Sequence, residues 1–542
     1  MKYNLGAYSE LVAEKIEQLN RERIIERIWK RDFTVWGKFP EEISNRLGWL
    51  DCIEVTGKSF TEINSFVEEI RNAGFTDALL MGMGGSSLAP EVFRLTFGVE
   101  KGYLDLHVLD STHPEAISEY EKKLNPEKTL YIVSTKSGGT VETMSFMKYF
   151  YTSVSKKLGK EKASKHFIAI TDPGSGLEET AKKLNFQKIF LNDPDIGGRF
   201  SALSLFGIVP AALIGVDVEK LFDETLKLKN ESKLLTVEKN SSAMIGVILG
   251  SLAQSGIDKV TFLTSPKIQY LGGWLEQLIA ESTGKNGKGI LPVDLEPLTS
   301  LIHYSKDRIF VYIKVENDNH FDTKVEEIKS AGFPLIEIEM KNINQLGAEF
   351  FRWEFATAVA GNVMSVQPFD QPNVESAKII ARSMVKEFQE NGKLPEIKTE
   401  NDESSIPSFL SDLKIGKSYV TNQAYLKPEK KTWQQLQELR LKILEKYKVA
   451  TTLGYGPRFL HSTGQLHKGD SGHGFFIQFI SEIENDLPIP DEAGREGSSI
   501  TFGTLIKAQA LGDRQALIDN NRRVLTIDLG KNNIASLSKL AV

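Results

Sequence analysis

A chain of 542 residues is too long for one ordinary core, so two large domains or a domain pair are expected. Its composition, 41% hydrophobic and 25% charged, is that of a soluble globular protein. Its 66 basic and 72 acidic residues leave no basic excess to attract nucleic acid, while a formal charge of −6 is no obstacle to an anionic substrate, because a site's local field outweighs the total.

Cys52 is the only cysteine, so no intrachain disulfide is available and the reducing cytoplasm is the expected compartment. The opening segment, "MKYNLGAYSELVAEKIEQLN", lacks the uninterrupted apolar core of a signal peptide. The most membrane-like run, "LSLFGIVPAALIGV", is too short to span a bilayer and contains Pro210, so no membrane contact is expected.

Residues 1–50 alternate apolar and charged positions at helical spacing, which predicts helices packed outside a sheet. From about residue 75 the pattern changes. "DALLMGM", "LDLHVLD", "TLYIVS", "HFIAITD" and "KIFL" are short apolar runs, each separated by enough chain for a crossover helix. A second cycle follows with "VTFLTS", "RIFVYIKV", "PLIEIEM" and the long helix "AEFFRWEFATAVAGNVM". The fold class expected is therefore α/β, with two units, residues 51–232 and 233–400, each a mainly parallel sheet flanked by helices. "LPEIKTENDESSIPSFLSD" reads as a linker. Beyond it, residues 401–542 are expected to hold the amphipathic helix "TWQQLQELRLKILEKY" and a small α/β extension that contributes to the site.

Two loops in the first unit pass from strand to helix. "STKSGGT", Ser134 to Thr140, carries four hydroxyls, one amine and two glycines. A helix start offers unpaired N–H groups and the positive end of a dipole, which hold anions. Gly138 and Gly139 let the backbone come close, and Thr135, Ser137 and Thr140 add donors, so a phosphate fits; a plain helix cap fits the same residues. The second loop, "MGMGGSSLAP", brings Gly82, Gly84, Gly85, Ser86 and Ser87 to a similar junction, and two such loops can close on one phosphate. Gly82-x-Gly84 followed by Asp110 also imitates a dinucleotide fingerprint, but position 87 is Ser where the third glycine belongs.

In "YLGGWLEQLIAESTGKNGKG", Tyr270, Leu271, Trp274, Leu275, Leu278 and Ile279 form one apolar helical face, and Glu281 projects from it, whereas Glu276 points away. Gly284 supplies a helix stop. A carboxylate on an apolar stripe is expected to be pushed toward the range useful to a general base; a salt-bridged Glu at a helix end is the plain alternative. Gln277, one turn earlier, is placed as its hydrogen-bonding neighbour. In "DIGGRFSALS", Arg199 follows Gly197 and Gly198, so the backbone packs tightly while a guanidinium reaches inward, suited to developing oxyanion charge. In "FDQPNVESAK", Lys378 precedes the apolar "IIA"; a surface lysine is the default reading.

These segments resemble a known family. "DIGGRFSALSLFG" and "GNVMSVQPFDQPNVESAK" are similar to the two signature segments of glucose-6-phosphate isomerase, and "MGMGGSS", "STKSGGTVET" and "QLIAESTGK" resemble its phosphate loops and base segment, in order. The tail motif "GYGPRFLHSTGQLHKGD" resembles the isomerase form found joined to transaldolase, with no transaldolase domain apparent here. The resemblance implies a pair of sugar-isomerase domains and a homodimer that interconverts glucose 6-phosphate and fructose 6-phosphate without cofactor or metal. It implies Glu281 as the base moving a proton between C1 and C2, Arg199 stabilising the enediolate, and Lys378 assisting ring opening. Ser86, Thr135, Lys136, Ser137 and Thr140 would hold the phosphate, with Gly85, Gly198, Gln277 and Gln371 completing the substrate site. Asn373 departs from the family's usual Gly or Ala.

The ring-opening histidine is expected shortly after the base, where His303 stands in poorly matching surroundings; His320 lies further off in a polar loop. The family places this histidine four residues before the Gln of a Gln-Leu-(x)-His-x-Gly element and before an apolar strand. In "HSTGQLHKGDSGHGFFIQF", His461 stands four before Gln465 and "FFIQF" follows. His461 is therefore expected to open the ring, the tail folding back over the site. No helical spacing among His461, His467 and His473 supports a metal. The alternatives are a non-catalytic phosphosugar-binding regulator, a dual phosphoglucose/phosphomannose isomerase, and a nicotinamide-dependent oxidoreductase.

Overall fold

The computed structural model describes residues 1–400, 404–531 and 533–542, without the side chains of residues 375–377. The segment read as a linker includes residues 401–403, which lie outside the described residues; residues 393–400 before them form no regular element, and a short helix, Ser405–Phe409, follows.

A strand, β1 (Lys2–Asn4), opens the chain. Five strands follow: β2 (Asp77–Met81), β3 (Asp105–Leu109), β4 (Thr129–Ser134), β5 (Phe167–Thr171) and β6 (Lys188–Leu191). Then come β7 (Lys259–Thr264), β8 (Leu291–Val293), β9 (Arg308–Val315) and β10 (Leu335–Met340). The tail holds β11 (Tyr419–Tyr425), β12 (Ala450–Tyr455), β13 (Gly474–Ile480), the short pair β14 (Pro488–Ile489) and β15 (Ile500–Thr501), and β16 (Arg523–Asp528).

Three sheets share one wiring. The first runs β3-β2-β4-β5-β6, all parallel. The second runs β8-β7-β9-β10, also parallel, with β1 added antiparallel at the β10 edge, Tyr3 opposite Ile336. The third runs β12-β11-β13-β16, again parallel. In each, the first strand of the set lies between the second and the third, so the crossovers reverse direction beside that first strand. Ligands of open α/β sheets bind at this reversal, outside the carboxyl ends of the strands. In the first sheet it falls between β2 and β4, the two strands that lead into the hydroxyl-rich loops.

Strands β2, β4 and β5 are buried on both faces: Leu79, Leu80, Ile132, Val133, Ala169 and Ile170 have no exposed surface, as expected of parallel strands covered by helices. The helix Leu346–Met364 is apolar nearly all round because it is central, packed against the helices Ser241–Gln254 and Val218–Glu231, with Trp353 edge-on to Phe262 at 5.6 Å. Two expectations change. The first residues are not all helical, since β1 completes a sheet edge, and the tail is a full four-stranded parallel sheet, its strand β11 carrying polar but buried Thr421, Asn422 and Gln423. "LSLFGIVPAALIGV" yields a helix of nine residues, Leu205–Leu213, and no helix among the described residues is long and apolar enough to cross a membrane.

Candidate active site

The turn Gly84–Ser86 follows β2, and "STKSGGT" follows β4 and leads into the helix Val141–Leu158. The loops touch: Ser134 Oγ donates to the Ser86 carbonyl at 3.2 Å. Gly85 brings in a third turn, Gly198–Phe200, because a Cβ at position 85 would lie 1.9 Å from the Gly198 carbonyl oxygen. A backbone atom is not displaced as a side-chain end is, so only glycine fits there. Gly85→Ala is expected to lower the melting temperature by several degrees and to raise the Michaelis constant for phosphosugar at least about tenfold, measured by calorimetry and steady-state kinetics.

Within "STKSGGT", Thr135 and Thr140 share a hydroxyl–hydroxyl bond of 3.0 Å, and the Gly139 N–H donates to Ser137 Oγ at 3.2 Å. Ser137 and Thr140 line a cavity of about 400 Å³ that also receives Lys378, Lys468 and His461. Lys136 faces elsewhere, its amine bound to Asp172 and to the Pro194 carbonyl at 2.7 Å.

Glu281 sits near the end of the helix Leu271–Thr283, whose apolar face buries Trp274 edge-on against Phe350 at 4.7 Å. The residue is 7% exposed, as the helical stripe demands. It does not stand alone, however: Arg199 Nη1 lies 3.2 Å from its Oε1 and Gln277 Nε2 donates to its Oε2 at 3.1 Å. The ion pair is the one the plain alternative reading of Glu281 expects. Arg199 is spent on fixed partners, donating to Ser282 Oγ at 2.8 Å, Gln371 Oε1 at 2.7 Å and the carbonyls of Pro368 and Asp370. Burial pulls its guanidinium below the ordinary value, and Glu281 pulls it back.

His461 arrives on the turn Arg458–His461 of the same chain. Its carbonyl accepts the Gln277 amide at 2.8 Å, the same amide that serves Glu281. Its Nε2 lies 3.0 Å from Glu142 Oε1, an oxygen that also accepts from Gln509 Nε2 at 2.7 Å. Burial pushes the Glu142 carboxyl up, but the facing imidazole outweighs it and leaves the group below its ordinary range. His303 instead faces the Glu445 carbonyl at 3.0 Å from an exposed turn, and His320 packs on Phe321.

The tail is docked in part through Asn373, the position that departs from the usual Gly or Ala. Gln465 accepts from the Asn373 N–H at 2.9 Å and donates to Asn373 Oδ1 at 2.7 Å and to the Gly284 carbonyl at 2.9 Å. Gly284 is more than a helix stop, since a Cβ there would come within 2.3 Å of Leu466 Cα in the helix Gly464–Gly469. Asp110, the acid of the imitation dinucleotide fingerprint, is buried against Ser87 Oγ at 3.3 Å and Arg458 Nε at 3.4 Å, so no ribose reaches it.

The family model for phosphoglucose isomerase matches residues 53–304. A probable glucose-6-phosphate isomerase from Methanococcus maripaludis is 30% identical over 425 residues, 70% of this chain and 92% of that protein. The chain belongs to the phosphoglucose isomerase family. A glucose-6-phosphate isomerase from Staphylococcus saprophyticus is 28% identical over 385 residues, 62% of this chain and 86% of that protein. Among solved structures, a hypothetical protein from Thermus thermophilus shares the fold with a TM-score of 0.60 at 23% identity, over 70% of this chain and 99% of that one. A glucose-6-phosphate isomerase from Chlamydia trachomatis gives 0.58 at 18% identity, over 70% and 86%.

Membership in the phosphoglucose isomerase family carries phosphosugar isomerase activity in general. Two contributors escaped the sequence reading. Glu142 follows the loop Ser134–Thr140 by two residues, on the inner face that continues through Ser145 and Phe146, and that position is its only signal. Lys285, also buried, ties down the Pro368–Gln371 segment through the Gln367 and Asp370 carbonyls at 2.6 and 2.5 Å; burial first, then Arg199, brings its amine down to about 7.

Proposed function

We propose that this protein interconverts glucose 6-phosphate and fructose 6-phosphate by moving a proton between C1 and C2 through a cis-enediolate, without metal or nucleotide. The observation that carries the reading is that Gln277 bonds both the buried Glu281 carboxylate and the backbone carbonyl of His461, whose imidazole faces Glu142 beside two loops suited to a phosphate. The phosphate is the anchor: Ser86, Thr135, Ser137 and Thr140 with the helix start hold it, and holding it fixes the reacting carbons.

His461 and Lys378 open the ring, Glu142 keeping the imidazole aimed. Glu281 then takes the proton from C2 of the aldose and returns it to C1, giving the ketose. Arg199 exchanges a fixed partner such as the Gln371 side-chain carbonyl for the developing enediolate oxygen and offsets its charge. Residues 51–232 and 233–400 would form the two sugar-isomerase units, with 401–542 supplying the histidine, as in the form found joined to transaldolase.

A coupled assay tests this. Fructose 6-phosphate is supplied with an excess of a nicotinamide-linked glucose 6-phosphate dehydrogenase, after dialysis against a chelator. The expected result is steady cofactor reduction at a turnover on the order of 10–10³ per second. Binding without turnover would make the protein a phosphosugar sensor, and turnover restored only by added divalent metal would overturn the proton-transfer reading. Mannose 6-phosphate in parallel reports the breadth of the substrate.

A further inference from the structure

A second cavity, about 510 Å³, lies between the third sheet and the outer face of the Glu281 helix. This is a volume ordinary for a small-molecule site. Its character is opposite to that of a phosphate pocket. Glu91, Glu276 and Asp294 line it against the guanidinium of Arg458, which is already paired to Glu91 and Asp110. Asp294 is seated on bare backbone, since a Cβ at Gly272 would overlap its carboxylate. Burial first, and repulsion between Glu276 and Asp294 next, push the Glu276 carboxyl up, and burial does the same for Asp294.

Two further observations point to a ligand. His467 lines the cavity at 1% exposure, and its Nε2 has no hydrogen-bond partner among the described residues, while its Nδ1 faces Gln423. A buried ring nitrogen left unmatched is costly unless something supplies the missing bond. Trp433 and Tyr455, stacked at 6.2 Å, line the same cavity, as do Thr421, Thr452, Ser462 and Thr463.

We propose that this cavity is a second ligand site, separate from the phosphosugar site, that takes a small hydroxylated ammonium compound of amino-sugar size. The ammonium would sit between Glu276 and Asp294, its hydroxyls meeting His467 and the threonines, with the aromatic pair against its apolar face. A phosphorylated sugar finds no free cation there among the described residues, since Arg458 is already paired to Glu91 and Asp110. The same turn, Arg458–His461, is a wall of both cavities, with Phe459 facing this one and His461 the other.

Titration calorimetry of the full chain with D-glucosamine, D-glucose and glucose 6-phosphate tests the proposal. Glucosamine is expected to give saturable heat, unchanged when glucose 6-phosphate is already present at saturation, and glucose is expected to bind at least about tenfold more weakly. Glu276→Gln should weaken glucosamine about tenfold or more and leave turnover of fructose 6-phosphate as it was. Trp433→Leu, on the helix Lys430–Tyr447, should weaken it independently, so misfolding of one variant leaves the other to decide. No saturable glucosamine binding, equal affinity for glucose, displacement by glucose 6-phosphate, or full affinity in both variants would each overturn it. Because binding is read without catalysis, failure here is distinguishable from failure of the isomerase reading.

Discussion

Glu281→Gln is expected to abolish isomerisation nearly completely, with turnover falling on the order of 10²–10⁴-fold, while phosphosugar binding persists. The amide keeps the shape of the side chain and can still meet Gln277, so the loss isolates the proton-accepting oxygen. The decisive measurement is exchange of solvent deuterium into the sugar, followed by NMR. The wild-type chain labels its product and the variant does not. The variant also leaves the buried Arg199, 3.2 Å from the lost charge, with one anionic partner fewer, so its melting temperature should drop as well. Turnover within about threefold of wild type in a folded variant would remove Glu281 from the role of base.

His461→Asn should divide the reaction in two. Ring opening depends on the imidazole, whereas proton transfer depends on Glu281, so the variant should lose most of its rate on closed-ring glucose 6-phosphate, about 10²-fold or about 2.7 kcal/mol. A four-carbon aldose 4-phosphate, too short to close a stable ring, should be handled nearly as before. Anomer exchange measured by NMR should fall in step with the hexose rate. Equal loss on both substrates, or none on either, would place His461 outside the ring-opening step.

Much of the isomerase frame was legible because parallel strands buried on both faces leave unbroken apolar runs. "RIFVYIKV" became β9 residue for residue, and "KIFL" became β6. Strands β1 and β8 were not legible, since three residues carry no period. Neither was most of the third sheet: Asn422 and Gln423 interrupt the apolar signal of β11, and only their burial beside Thr452 and His467 gives them a place. The site divides in the same way. The burial of Glu281 could be read from the stripe it interrupts, and the two strand-to-helix loops from their glycines and hydroxyls. Partnerships across long separations could not: Glu142 meets Gln509 367 positions later, and no local pattern announces such a pair. His461 was singled out through a motif displaced along the chain, and Asn373, where a smaller residue is usual, bonds Gln465 of that motif.

The lateness of His461 has a consequence for how the protein comes into being. On the ribosome the two hydroxyl-rich turns and Glu281 emerge first, and 184 positions separate Gln277 from the carbonyl it must meet. Only when the third sheet has been translated and has settled onto the helix ahead of Gly284 does the imidazole find its place. A chain translated only through the second sheet would therefore hold Gln277 beside Glu281 without the His461 carbonyl that the amide also serves.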